Sequence, residues 1–226
     1  MADREPESLR FDVGGRKVSG LWTAAADARA VAILAHGAGA GMEHPFMQGA
    51  AGGLTAAGVT AFRFNFPYAE EGRRSPDRPG TLREAWIDAL DEAAAHADGL
   101  PLVASGKSMG GRIVSMIAAE RGKDFAARAL VFFGYPLHAP GRVDKPRDEH
   151  LPFVRVPMLF IQGTEDSLAN FAMIRTLVER LQPWARLHTL QGADHSFRVR
   201  GRRRPDDDIG RELGGVAAEF IREVVG

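Results

Sequence analysis

The 226-residue chain has no cysteine. Disulfides, a thiol nucleophile and thiolate metal ligands are therefore excluded. It has no formal net charge either, because 29 Lys and Arg balance 29 Asp and Glu. No global field draws the chain to nucleic acid, and none is expected as a partner. It lacks any run of about 18 apolar residues, which a bilayer span would need. The charged start Met1-Ala2-Asp3-Arg4-Glu5-Pro6-Glu7 lacks the apolar stretch of a secretory signal. No membrane partner is expected, and the cytoplasm is the expected location. Internal repeats are absent as well. What is present, 45% hydrophobic and 26% charged residues, is the composition of a globular domain with a substantial core.

Glycine and proline divide the chain into short apolar segments. Leu9 to Val13 and Lys17 to Trp22 flank Gly14-Gly15, the pattern of a β-hairpin. Ala30 to Ala35 is almost wholly apolar, as a buried parallel strand should be. Further strands are expected at Val59 to Phe64, Leu100 to Ala104, Ala129 to Phe133, Val156 to Ile161 and Ala185 to Leu190. Helices are expected at Pro45 to Ala57, Leu82 to Ala97, Asn170 to Leu181 and Arg211 to Val224. A polar, proline-bearing loop should fill residues 65 to 80. Strands alternating with helices imply an α/β fold, with a mainly parallel central sheet covered by helices on both faces. One domain spanning 1–226 accounts for the pattern, with 1–8 as a flexible N-terminus. Residues 134–155 form an irregular charged excursion, long enough for a small lid and too short for a large cap domain.

Gly106-Lys107-Ser108-Met109-Gly110 reads G-x-S-x-G between an apolar strand and a helical run starting at Gly111. A serine on such a turn is presented to substrate, and the glycines keep its approach clear. An activated serine needs a base, and the base needs an orienting acid. In open α/β sheets both should follow the carboxyl ends of strands. Asp166 lies in the loop after Ile161, and His195 in the loop after Leu190. Ser108, Asp166, His195 is also the chain order that this architecture uses. Taken singly, each has a plainer role: a turn serine, a helix N-cap and a solvated loop histidine. Glu165 and Asp194 are rival acids, although Asp194 adjoins His195 and is poorly placed to reach the far side of its ring. The backbone N–H of Met109 and that of Ala38, in the glycine-rich loop His36 to Gly41, are candidate oxyanion donors.

The rest is less specific. The loop at Gly37 fits neither phosphate-binding pattern, G-x-x-x-x-G-K-[ST] or G-x-G-x-x-G. His36 is read as the prop of the glycine turn, and His44 as a pocket-mouth residue. His96, His138, His150 and His188 lack paired ligand spacing, so no metal and no cofactor are expected. Phe66, Tyr68, Tyr135 and Phe197, with Phe133 and Leu137, sit near strand ends and are candidates for a pocket wall or for core. Arg63, Arg73, Arg74 and Arg112 are candidate anchors for an acidic substrate. The basic run Arg198 to Arg204 is followed at once by Asp206, Asp207 and Asp208, which offset much of its charge. A solvated loop, an acidic-partner patch and a rim attracting anionic substrates are its three readings.

The segments His36 to Gly39, Phe62 to Tyr68, Gly106 to Arg112, Gly163 to Asp166 and Gly192 to Phe197 together resemble an α/β-hydrolase, over roughly residues 10 to 224. More narrowly they resemble small bacterial hydrolase-like proteins related to the KANL3/Tex30 group, which is similar to the dienelactone hydrolases. The resemblance implies the α/β-hydrolase fold, Ser108 as nucleophile, Asp166 as acid, His195 as base, and Ala38 and Met109 as oxyanion donors. Dienelactone hydrolases proper use a cysteine nucleophile. With serine in that place, ordinary hydrolysis of small acyl esters is the expected activity, with a small-molecule acyl substrate as partner. A serine peptidase for short peptides would share the same residues. A catalytically silent interaction module would share the same fold.

Overall fold

Gly14 and Gly15 take φ of 54° and 78°. A two-residue turn with both φ positive matches the twist of a hairpin, and here it joins strands β1 (Glu7–Val13) and β2 (Arg16–Thr23). The computed structural model describes residues 5–226. Of the expected N-terminal tail, residues 1–4 lie outside the described residues, while Glu7 and Ser8 pair with Trp22 and Leu21.

The remaining elements are β3 (Ala30–Ala35), α1 (Pro45–Ala56), β4 (Val59–Phe64), a short α2 (Pro67–Glu70), α3 (Pro79–His96), β5 (Leu102–Lys107), α4 (Met109–Arg121), β6 (Leu130–Phe133), β7 (Met158–Gly163), α5 (Phe171–Arg180), β8 (Ala185–Leu190) and α6 (Asp206–Val225). Eight strands form one sheet in the order β1-β2-β4-β3-β5-β6-β7-β8. The β1–β2 and β2–β4 pairs are antiparallel and every other pair is parallel. Strands β3 to β7 are covered on both faces, which is why their residues are mostly apolar and almost all buried. Side chains alternate between two cores. Val31, Ile33 and Ala35 belong to one core, shared with residues of α3, α4 and α5. Ala30, Ala32 and Leu34 belong to the other, shared with residues of α1 and α6.

Several boundaries differ by a few residues from those read in the sequence, and three of the differences have a plain physical cause. Strand β5 runs on to Lys107, with Gly106 paired to Phe132 and Lys107 to Phe133. Glycine has a poor strand propensity, but its backbone still pairs here and its missing Cβ lets a helix approach. Helix α6 starts at Asp206, because three aspartates in its first turn complement the positive end of the helix dipole. Residues 65–80 hold α2 and the start of α3, each opened by a proline whose absent N–H is no loss there.

Helices α1 and α6 touch through backbone. A Cβ at Gly210 would lie 2.2 Å from the Phe46 carbonyl oxygen, and one at Gly53 would lie 2.1 Å from that of Arg211. Gly215, on the same α6, has nothing within 4 Å of its Cβ position. Gly210→Ala should therefore lower the urea midpoint, at a cost of about 1–3 kcal/mol for overpacking. Gly215→Ala should raise it by roughly 0.5–1 kcal/mol, the helix propensity gain alone. Equal effects at the two sites would contradict this packing.

Candidate active site

Strand β5 and helix α4 meet at a turn that leaves no room for a side chain at Gly106 or Gly110. A Cβ at Gly106 would stand 2.2 Å from the Gly111 nitrogen, and one at Gly110 would stand 2.7 Å from the Ala35 carbonyl oxygen. Ser108, between them, has φ 51° and ψ −115°. A left-handed φ on a side-chain-bearing residue is strained and persists only where its surroundings impose it. Its N–H donates to the Phe133 carbonyl at 3.1 Å, and its carbonyl accepts from the Arg112 N–H at 3.1 Å.

The hydroxyl of Ser108 is 2.8 Å from His195 Nε2. His195 Nδ1 is 2.7 Å from Asp166 Oδ2. A carboxylate only accepts, so Nδ1 carries the ring proton and Nε2 is free to accept from the serine. The Asp166 side chain is fully buried and the His195 side chain is 22% exposed. Asp166 is itself held, with Gln162 Nε2 donating to Oδ2 at 2.6 Å and the Leu168 N–H donating to Oδ1 at 2.8 Å. Gln162 accepts in turn from the Tyr135 N–H at 2.9 Å. The rival acids are placed elsewhere. Glu165 is exposed, and Asp194 Oδ1 accepts from the N–H groups of Ser196 and Arg198 at 2.8 and 2.9 Å, shaping the histidine loop.

His36 sets the glycine-rich loop. Its Nε2 accepts from the Phe66 N–H at 3.1 Å, so Nδ1 bears the proton and donates to the Gly37 carbonyl at 2.9 Å. The Tyr68 hydroxyl donates to the same carbonyl at 3.2 Å. In a trans peptide the following N–H points the opposite way. Pinning the Gly37 oxygen inward thus turns the Ala38 N–H away from His36 and Tyr68. A Cβ at Gly37 would lie 3.5 Å from Ser108 Cβ, so this loop abuts the serine. Met109 is the first residue of α4, and its N–H is among those an α-helix leaves unpaired.

A cavity of about 300 Å³ opens beside Ser108. Its walls are Gly37, Ala38 and Ala40 after β3, His44, Phe46 and Met47 at the start of α1, Lys107, Leu168, the loop residues His195, Ser196 and Arg198, and Asp206. Of the expected pocket residues, His44 lines it, while its Nδ1 also caps α1 by accepting from the Phe46 N–H. Phe66, Tyr68, Tyr135 and Phe197 do not. Phe66, Tyr68 and Tyr135 are fully buried core residues on the α3–α4 side. Phe197 stacks on Phe46 with ring centroids 5.6 Å apart. Burial pushes the Tyr68 phenol up to about 12 and the Tyr135 phenol higher still. Tyr135 donates its hydroxyl to the Arg147 carbonyl at 3.0 Å, facing the excursion and not the cavity. No residue of 134–155 lines the cavity; Ser115 on α4 holds that segment through His150 Nε2 at 2.7 Å. Arg63, Arg73, Arg74 and Arg112 are also absent from the walls. Arg198 and Arg204, in the basic run, pair with Asp206 and Glu212.

The sequence does not single out Gln162, Lys107, Phe46 or Met47 as site residues, whereas Arg198 opens the basic run for which a rim attracting anionic substrates is one reading. A polar residue closing an otherwise apolar strand was the available signal for Gln162 and Lys107.

Burial lowers the His36 imidazole to about 4, against the pull of the Gly37 carbonyl. Below pH 6.5 the unfolded chain takes up a proton that the folded chain refuses until about pH 4. Stability therefore falls as pH drops through that window, by up to about 3 kcal/mol from this ring. Urea midpoints from pH 7 to pH 4 should show the loss, and His36→Asn, less stable at pH 7, should show a shallower one.

The same architecture recurs in solved structures. A dienelactone hydrolase from Anabaena variabilis is similar at 23% identity, with 98% of this chain and 99% of that one aligned and a TM-score of 0.74. A serine hydrolase without lid from Xanthomonas campestris aligns over 97% and 94% of the two chains, at 22% identity and TM-score 0.73. Est1E from Butyrivibrio proteoclasticus does so over 96% and 98%, at 16% identity and TM-score 0.70. At such identities the likeness is one of fold. Residues 28–222 match the family model described as an alpha/beta hydrolase domain, and the chain belongs to that family.

Proposed function

We propose that the protein is a serine hydrolase, specifically a carboxylesterase for small acyl esters, with Ser108, His195 and Asp166 as its catalytic residues. The observation that carries this is the unbroken chain of hydrogen bonds from the Ser108 hydroxyl through His195 to Asp166, at 2.8 and 2.7 Å. In this mechanism His195 Nε2 takes the hydroxyl proton as Ser108 Oγ attacks the ester carbonyl. The oxyanion is stabilised by the N–H groups of Ala38 and Met109. His195 then gives its proton to the departing alcohol, leaving an acyl-serine. Water, deprotonated by the same nitrogen, attacks the acyl group, and the acid leaves with Ser108 restored. Asp166 keeps the proton on Nδ1 and balances the imidazolium that forms in each half. Gln162 and the Leu168 N–H hold that carboxylate in place. The cavity's modest volume and its Phe46, Met47 and Leu168 walls favour a short acyl group. The finer kinship with the KANL3/Tex30 group belongs to this proposal too, on the strength of the segments around Ser108 and His195.

Intact mass after incubation with a fluorophosphonate tests the reading. A single adduct mapped to Ser108 is expected, absent in Ser108→Ala, with ester turnover lost in that variant. Asp166→Asn should lower kcat by roughly a thousandfold or more by favouring the wrong tautomer. Retained turnover in pure Ser108→Ala would overturn the assignment. A folded wild type that takes no adduct would favour the silent module.

A further inference from the structure

Lys107 closes β5, one residue before Ser108. Its side chain leaves the sheet on the same face as Val103, toward α1 and α6. There Nζ ends beneath the loop that carries His195. Three features meet at this nitrogen. It donates to the His195 carbonyl oxygen at 2.6 Å. It stands 5.0 Å from the centroid of the Phe197 ring, a cation–π distance. And Gly134, with φ 71°, leaves room for it, since a Cβ there would come within 3.1 Å.

We propose that Lys107 is a positioning residue, whose ammonium ties the main chain of His195 to the strand bearing Ser108 and so sets the distance between imidazole and hydroxyl. The inference rests on the serine-hydrolase reading above. The other bonds of the histidine loop leave this task undone. Asp194 shapes the loop from within by accepting from Ser196 and Arg198. The Ala193 carbonyl accepts from the Glu165 N–H at 2.9 Å, which anchors the start of the loop to the segment after β7. Among the described residues, only Lys107 joins the His195 main chain to the nucleophile's own strand. A base that must take a proton from one atom and deliver it to another has to stay within hydrogen-bond reach of both. The ammonium over the Phe197 face also braces a non-glycine residue at φ 64°.

The charges around Nζ fit a tether better than an electrostatic assistant to the imidazolium, which a neighbouring cation would repel. Asp166 after β7 and Asp194 after β8 both attract the ammonium, while burial pushes it down to about 8. His195 and Arg198 share its loop side, His44 and Asp206 belong to the same cavity, and Gly134, just after β6, brings no charge. Loss of the proton leaves a neutral amine whose bond to the carbonyl lacks charge assistance.

The test is Lys107→Met, which keeps length and removes charge and donors, measured by the pH-dependent rate of fluorophosphonate labelling at Ser108 and by ester kinetics. We expect kcat to fall by about 10- to 100-fold, with KM nearly unchanged and labelling slowed in parallel. Wild-type labelling should decline as pH rises through about 8, and this limb should be missing from the variant. A folded Lys107→Met that labels at the wild-type rate would overturn the inference. So would a wild-type rate that stays level across the pH at which the Lys107 Nζ itself titrates, located by its 15N shift, and this arm decides the matter alone if the variant does not fold. A wild type that never labels overturns the hydrolase reading and this inference together. A labelling wild type matched by Lys107→Met overturns the inference alone.

Discussion

Everything at the candidate site depends on backbone lying against backbone where β5 becomes α4. Gly106 and Gly110 have no side chain because the Gly111 nitrogen and the Ala35 carbonyl occupy that space. With the helix pressed this close, the chain can pass through Ser108 only with a left-handed φ. The strain is local, and the hydrogen bonds of β5 before Ser108 and of α4 after it absorb it. Trp86 reinforces the contact by donating its indole N–H to the Gly110 carbonyl at 2.9 Å. The strained serine and the unpaired N–H at the start of α4 thus arise from one packing constraint.

A second layer fixes the partners of that serine. From the Tyr135 N–H after β6, hydrogen bonds run through Gln162 at the end of β7 to Asp166, His195 and Ser108. Four neighbouring strand ends, those of β5, β6, β7 and β8, are thereby linked by one polar path over an apolar core. Each buried polar atom on the path has a partner, which is what makes such a network rigid and not costly. His36 does similar work on the opposite flank, where a neutral ring joins the Phe66 N–H to the Gly37 carbonyl.

Most of this was legible in the residues. The strands read at Ala30–Ala35, Val59–Phe64 and Ala185–Leu190 match the structure residue for residue, because turns bound them sharply. Ser108, Asp166 and His195 could be named because strand-end position and chain order constrain them jointly. The cavity wall could not be read. Phe66, Tyr68 and Tyr135 sit near strand ends as pocket residues do, but an aromatic there packs equally well inward, and these three do. Polarity at a strand end marks Lys107 and Gln162, but it does not reveal what they bind. Their partners, His195 and Tyr135, are distant in the chain, and no local pattern encodes a contact made only on folding.

The excursion at 134–155 lies against α4, fastened by the contact between Ser115 and His150, and leaves the cavity uncovered. On the proposed mechanism this has a chemical cost and a kinetic gain. Among the described residues no gate covers the cavity, so on that mechanism neither entry of an ester nor departure of an acid waits on a conformational change. The same opening exposes an acyl-serine to bulk water, which outnumbers every other acceptor. Such a site commits its intermediate to hydrolysis and is ill suited to passing the acyl group to a second alcohol.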